Sequence, residues 1–172
     1  TGLPLIVAEE LDADWSKVVV EQSPVDAAYH HPIFKAQYVV ASLSTLGYWT
    51  PLRVAGAQAR RVLVDAAAAK WGVPAAECTT EPSTVVHRTS GRRMSYGEIA
   101  SSATAPATPP AIDPARDLKP ASQYRLVGKG VARVDVPAKT NGTAKYGIDA
   151  RVPGMAYATF VRAPVRGSGP AS

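Results

Sequence analysis

The spacing of apolar positions divides the chain into helical and extended stretches. Residues 3–11 place Leu3, Ile6, Val7 and Leu11 at helical spacing with Glu9 and Glu10 on the other face, which predicts a short amphipathic helix with its acids in solvent. Asp14-Trp15-Ser16 then predicts a turn. In residues 17–22, Val18 and Val20 fall on one face and Val19 on the other, the alternation of a strand. Residues 38–43 form a second apolar run of β character. The strongest helical pattern is Leu52, Ala55, Ala59, Val62, Ala66 and Ala69 within residues 51–71. Thr50 can cap it, Pro51 suits a first helical position, and Gly72 can stop it, leaving Arg53, Arg60 and Lys70 to solvent. Its many alanines predict close packing against a neighbouring element.

Residues 79–96 predict a hairpin, with Val85 and Val86 on one arm, Met94 and Tyr96 on the other, and Thr89-Ser90-Gly91 as the turn. Ser95 and Glu98 have capping-box spacing and predict a short helix running to Ala103. Residues 101–117, rich in Ala, Pro, Ser and Thr, predict an extended connector and a break between packing units. Beyond it, residues 145–148 and 156–161 predict short strands joined by a Pro153-Gly154 turn. The fold class expected from this succession is α+β. Its division is residues 1–100, a connector at 101–123, and a second domain beginning at 124 and running to 172.

Composition narrows the chemistry. At 172 residues and 46% hydrophobic content, the chain is long enough for one compact domain, or one domain and part of another. A formal charge of +5 admits an anionic partner, but the basic residues are scattered as Arg60-Arg61, Arg92-Arg93 and single positions. With no recognisable docking element, nucleic-acid binding is a minor alternative whose mark would be steep salt dependence. The single cysteine, Cys78, rules out an intrachain disulfide and any iron–sulfur or zinc site built from several cysteines of this chain. It reads as a small buried thiol. His87 reads as a surface or hydrogen-bonded strand residue and not a ligand, and the neighbours His30 and His31 diverge too far to chelate together. No metal ligands or catalytic residues are assigned. No apolar run approaches a membrane span, and the first residues lack the charged and apolar regions of a signal peptide. Because the chain opens at Thr1 without Met, an excised or processed piece is expected.

One stretch carries more than periodicity. Phe34-Lys35-Ala36-Gln37-Tyr38-Val39-Val40-Ala41-Ser42-Leu43-Ser44 is followed by Trp49-Thr50-Pro51-Leu52-Arg53. It resembles the F-G-G-Q-x-T-G-G-S-T-S loop and W-x-P-L-R helix start of molybdopterin-binding large subunits of the xanthine oxidase family. The similar branch is that of isoquinoline 1-oxidoreductase beta subunits and membrane-associated aldehyde dehydrogenases. Gln37, Ser42, Ser44, Trp49, Pro51, Leu52 and Arg53 match, whereas Lys35, Ala36, Val40 and Ala41 stand where the family places glycines. The opening A-E-E-L-D segment and the later Trp71-Gly72-Val73-Pro74 agree with the same family. Further on, Val127-Gly128-Lys129, Arg133, Asp135, Lys139, Gly142, Ala144, Tyr146 and Pro153-Gly154-Met155 resemble the entry to the family's hammerhead domain.

The resemblance implies that residues 1–100 are part of a molybdopterin-binding domain and that residues 124–172 begin a hammerhead-like domain. Gln37, Ser42 and Ser44 are then the expected cofactor-binding residues. The cofactor is molybdopterin, with iron–sulfur clusters carried only by a small partner subunit, in a periplasmic or membrane-associated complex. The family's catalytic glutamate lies beyond the last residue of this sequence, and its E-x-G-Q-G segment falls before the first. Glu9, Glu10, Asp12 and Asp14 are expected as solvated surface and not as its replacement. The expected function is a segment of a molybdenum hydroxylase large subunit, inactive alone, that needs the rest of that subunit. The alternative is a non-catalytic assembly module on the same scaffold.

Overall fold

A computed structural model describes residues 1–169 of the chain. They form two compact units, Thr1–Val134 and the described residues from Asp135 onward. The division falls later than the connector expected from composition, because residues 119–127 are bonded to the first helix. The final three residues of the expected second domain lie outside the described residues.

In the first unit, helix α1, Gly2–Leu11, ends at Asp12, which adopts the left-handed conformation and donates its N–H to the Ala8 and Glu9 carbonyls. It packs on α2, Leu43–Trp71. The two come closest at Gly56, where a Cβ would lie 2.8 Å from both the Glu10 Cβ and the Val7 carbonyl oxygen. Helix α2 stops at Gly72 as expected, in the left-handed conformation, but it starts at Leu43 and not after Thr50. Pro51 is therefore interior. Its fixed φ suits a helix, and its missing N–H costs only the intrahelical partner of the Gly47 carbonyl. The Thr50-Pro51 pair thus imitates a helix start.

Strands β1, Cys78–Glu81, β2, Thr84–His87, and β3, Arg93–Ser95, form an antiparallel meander. Val85 pairs with Met94, as the expected hairpin requires, and with Thr80 on the added strand. The capping box is present: the Ser95 hydroxyl receives the Glu98 N–H, and the Glu98 carboxylate receives the Ser95 N–H. It opens α3, Tyr96–Ala100, shorter than the helix to Ala103 that was expected. Val85 and Ile99 bury against Ala67 of α2, with Leu63, Trp71, Met94 and Tyr96 around them. A second core joins Ala8, Ala13 and Leu126 with Leu5, Leu11 and Trp15.

Four expected strands are absent. Residues 18–22 are extended but unpaired after a 3-10 turn at Trp15–Lys17, since alternation without a neighbouring strand cannot make a ladder. Residues 38–42 run without regular structure through a bend at Val40 and a turn at Ala41 and Ser42 into α2, which begins at Leu43. Residues 145–148 and 156–161 of the second unit are likewise unpaired, with a 3-10 turn at Gly147–Asp149. That unit holds one regular helix, α4, Val136–Thr140, and none of its described residues is buried. The α+β class describes the first unit. No described helix is long and apolar enough to cross a membrane.

Candidate functional site

The residues matching the cofactor loop lie between a 3-10 turn at Ala27–Tyr29 and the start of α2. Lys35, Ala41 and Ser42 have φ of 51°, 50° and 59°, in the left-handed region that glycine enters freely. Two of these, Lys35 and Ala41, stand where the family pattern has glycine, so the backbone keeps a glycine conformation under side chains that oppose it. Ser42 is the residue before α2 and makes no side-chain capping bond.

The three expected cofactor-binding residues lie on this stretch, and the side chains of two of them are engaged by backbone carbonyls. The Gln37 side-chain nitrogen donates to the Pro24 carbonyl at 2.8 Å, and the Ser44 hydroxyl to the Tyr38 carbonyl at 3.0 Å. The loop carries no acidic residue between Phe34 and Ser44. Tyr38, Val39 and Val40 are exposed. Beneath them, His31 is buried and stacks against Phe34 and Tyr48.

A second constellation corrects an expectation. Glu9 and Glu10 are among the most buried residues, at 1% and 0% exposure, and Asp12 is buried as well. Only Asp14, half-exposed beside Lys17 and Ser16, behaves as surface. The Glu9 carboxylate sits in a cradle of three consecutive backbone amides, receiving Arg125 N–H at 3.0 Å, Leu126 N–H at 2.6 Å and Val127 N–H at 2.9 Å. Burial pushes the Glu9 carboxyl pKa up, but these amides and the Lys119 charge outweigh it, and the net shift is downward.

Glu10 binds Arg53 at 2.7 Å from Nε and receives the Lys119 amide at 3.2 Å. Asp12 receives Lys119 Nζ at 2.5 Å and the Thr80 hydroxyl at 2.5 Å. Arg60 lies 3.9 Å from Glu10 and 3.8 Å from Asp12, and Arg125 lies 3.6 Å from Asp12. Arg53 and Arg60, expected in solvent, are mostly enclosed, at 13% and 20% side-chain exposure. The Arg53 guanidinium also lies over Trp49 and Tyr124. Three carboxylates and four cations thus tie α1, α2, β1 and residues 119–125 together. Among the described residues no buried side-chain polar atom lacks a partner, so the cluster reads as a structural clasp.

Nearby, the Tyr96 hydroxyl donates to the Leu11 carbonyl at 2.7 Å, and burial, then the Asp12 charge, pushes its pKa far above the usual tyrosine value. His87 is buried, not at the surface, and bonds Glu77 at 2.8 Å and Ser90 in the hairpin turn at 2.7 Å. Cys78 is half-buried, and burial followed by the Glu77 charge raises its pKa, which opposes nucleophilic use. Among the described residues, no three His, Cys, Asp or Glu side chains are grouped to hold a metal ion.

No family model matches the chain. It is nevertheless 43% identical over 201 aligned positions to the beta subunit of isoquinoline 1-oxidoreductase from Brevundimonas diminuta, covering 99% of this chain and 26% of that one. The membrane-bound aldehyde dehydrogenase [pyrroloquinoline-quinone] of Gluconacetobacter polyoxogenes is 38% identical across 96% of this chain and 21% of its own length. A nicotinate dehydrogenase subunit from Pseudomonas putida is 34% identical across 97% of this chain and 13% of its own. The chain thus spans about a quarter or less of the relatives it matches. Three matches, each over nearly the whole chain, identify it as a member of the xanthine oxidase family, similar to a segment of its large subunits.

Proposed function

We propose that the chain is a segment of a molybdenum hydroxylase large subunit, acting on aldehydes or N-heterocycles, which builds part of the cofactor environment and does not turn over by itself. The observation that supports this most directly is the loop from Phe34 to Ser44. It retains left-handed backbone at Lys35 and Ala41, where the family motif has glycine, in the stretch that carries Gln37, Ser42 and Ser44.

The fit to molybdopterin is partial. The backbone conformation suits close approach of amides to an anionic ligand, whereas the side chains of Lys35, Ala36, Val40 and Ala41 occupy space that glycine would leave open. When bound, the cofactor supplies hydroxylation of a carbon with water-derived oxygen, its electrons leaving to iron–sulfur clusters on a small subunit. The contribution proposed for this chain is to position Gln37, Ser42 and Ser44 beside the ligand. Supplying a base is left to residues outside the chain, since the loop has no carboxylate and Glu9, Glu10 and Asp12 are committed to the clasp. The expected partners are therefore the remainder of the large subunit and an iron–sulfur subunit.

The relative from Gluconacetobacter polyoxogenes carries pyrroloquinoline quinone in its name. The test consequently assays both groups. Elemental analysis and quinone absorbance of the desalted 172-residue chain should find neither in stoichiometric amount, and no hydroxylase activity. Stoichiometric molybdenum in the chain alone contradicts its dependence on further residues, and stoichiometric quinone contradicts the molybdopterin assignment. A second reading, a non-catalytic assembly module, is favoured by the exposed Tyr38, Val39 and Val40 on the loop. It predicts that the chain binds the other subunits while Ala41→Gly and Val40→Gly leave their molybdenum content unchanged.

A further inference from the structure

A buried imidazole sits between the loop that carries Gln37 and the start of α2. His31 is 1% exposed, and its ring occupies the space over Gly47, in the second turn of the helix. A Cβ at Gly47 would lie 2.0 Å from Nε2 and 2.4 Å from Cε1, so any side chain there would overlap the ring. The ring nitrogens have fixed roles. Nε2 lies 3.0 Å from the Leu43 carbonyl oxygen, which only accepts, and Nδ1 faces the Ile33 and Phe34 amides at 3.2 and 3.4 Å, which only donate. The bonding pattern therefore assigns the neutral tautomer with the proton on Nε2.

The backbone closes the same junction from both sides. His31 donates its own N–H to the Ala36 carbonyl at 2.8 Å and accepts the Lys35 N–H at 3.0 Å. Residues 31–36 are thereby drawn into a tight turn around the ring. The Tyr48 hydroxyl donates to the Tyr29 carbonyl at 2.8 Å, and Phe34 stacks between His31 and Tyr38 at centroid distances of 4.9 and 4.7 Å. The Gly47 carbonyl lacks an intrahelical partner because Pro51 has no N–H, so this turn of α2 has less internal support than those beyond it.

We propose that His31 is the positioning residue of the Gln37 loop: its neutral imidazole, seated in the gap that Gly47 leaves, holds residues 31–44 in their left-handed turns against the start of α2. Its consequence for cofactor binding rests on the reading of residues 34–44 as the cofactor loop. His31 touches no ligand in this role and acts only through the loop. With both nitrogens committed to backbone, it is not available as a metal ligand.

The test uses the whole chain and follows backbone amide exchange by mass spectrometry. His31→Ala should raise exchange in residues 31–46 by at least about tenfold while peptides from the sheet and from residues 55–71 remain as protected as before. His31→Asn, whose side-chain oxygen can replace Nδ1 as acceptor, should restore part of the protection at Ile33 and Phe34. Gly47→Ala decides the sign. Alanine favours a helix over glycine, so unchanged or slower exchange would overturn the proposal, whereas faster exchange confined to residues 31–46 supports the overlap with the ring. In the double variant His31→Ala with Gly47→Ala the added methyl enters the vacated space, and the joint effect should be smaller than the product of the single effects. A uniform rise across all peptides in His31→Ala would also overturn it. The cofactor arm is separate: molybdenum content is measured in the full large subunit with and without His31→Ala. No molybdenum in either protein defeats the cofactor reading and leaves the exchange result to decide the lock. Equal molybdenum in both shows that the lock does not serve the cofactor.

Discussion

At the scale of single residues, the chain places side chains where its backbone favours none. Ala41 at φ 50° adopts a conformation that costs an L residue roughly 1–2 kcal/mol, partly offset by the greater unfolded-state freedom of glycine. Ala41→Gly should therefore raise the urea midpoint, by about 0.5–1 kcal/mol in stability, with an unchanged denaturant slope. A lowered midpoint would show that the methyl makes a compensating contact. Glu9 gives the opposite case, a charge whose burial is matched by donors. Its folded pKa lies below the ordinary value of 4.5, so its contribution to stability is full above that pH and is lost as pH falls through the folded value. Glu9→Gln should cost about 3 kcal/mol near neutrality and flatten the loss of stability below pH 4.5. Unfolding midpoints measured from pH 7 to pH 2 check both the magnitude and the shape.

At the scale of elements, what the sequence reveals depends on how local the determining contacts are. The stop of α2 at Gly72 and the Ser95/Glu98 cap use residues a few positions apart, and both are legible from the chain. The start of α2 is not. Thr50-Pro51 has the chemistry of a helix start, but the true first turn is held by His31, twelve residues before Leu43, and by the aromatic contacts around it. Glu9 and Glu10 satisfy an amphipathic pattern in which acids face water, yet their partners Lys119 and Leu126 are more than a hundred residues away, and no local pattern signals them. In the candidate site, the residue types of Gln37, Ser42 and Ser44 are visible in the motif, whereas the engagement of Gln37 by the Pro24 carbonyl and of Ser44 by the Tyr38 carbonyl depends on the folded chain. The helix pair gives its own prediction. Gly56→Ala adds helix propensity worth about 1 kcal/mol but forces a methyl to 2.8 Å from the Val7 carbonyl oxygen, and overpacking costs about 1–3 kcal/mol. A net loss of stability is expected from thermal melting, and a gain would mean that α1 shifts without cost.

At the scale of the whole molecule, stability is unevenly distributed. The described residues of the second unit include none that is buried, and Ile148, Tyr157, Phe160 and Val161 are all exposed. Limited proteolysis should accordingly cut between residues 135 and 169 before residues 101–117, even though the latter have the composition of a linker. The connector is tied down by the Gln58 side chain donating to the Pro110 carbonyl at 3.1 Å and leads directly to buried Lys119. First cleavage inside residues 101–117 would contradict this order. A chain ending at residue 118 would retain Glu9 and Glu10 but lose the amide cradle and Lys119. Its unfolding midpoint should fall well below that of the whole chain; an equal midpoint would show that the clasp adds nothing.

The same clasp sets an order in time. Leu126 N–H and the Glu9 carboxylate are separated by 117 positions, so their bond closes nearly the longest loop that the first unit allows. The entropy of bringing such distant segments together is met only after nearer contacts have formed. Residues 119–127 follow α1 by more than a hundred positions, so the Glu9 carboxylate meets its amide cradle only after that segment has been made. Glu9 therefore keeps its water shell longer than Glu10, whose partner Arg53 lies only 43 positions along the chain.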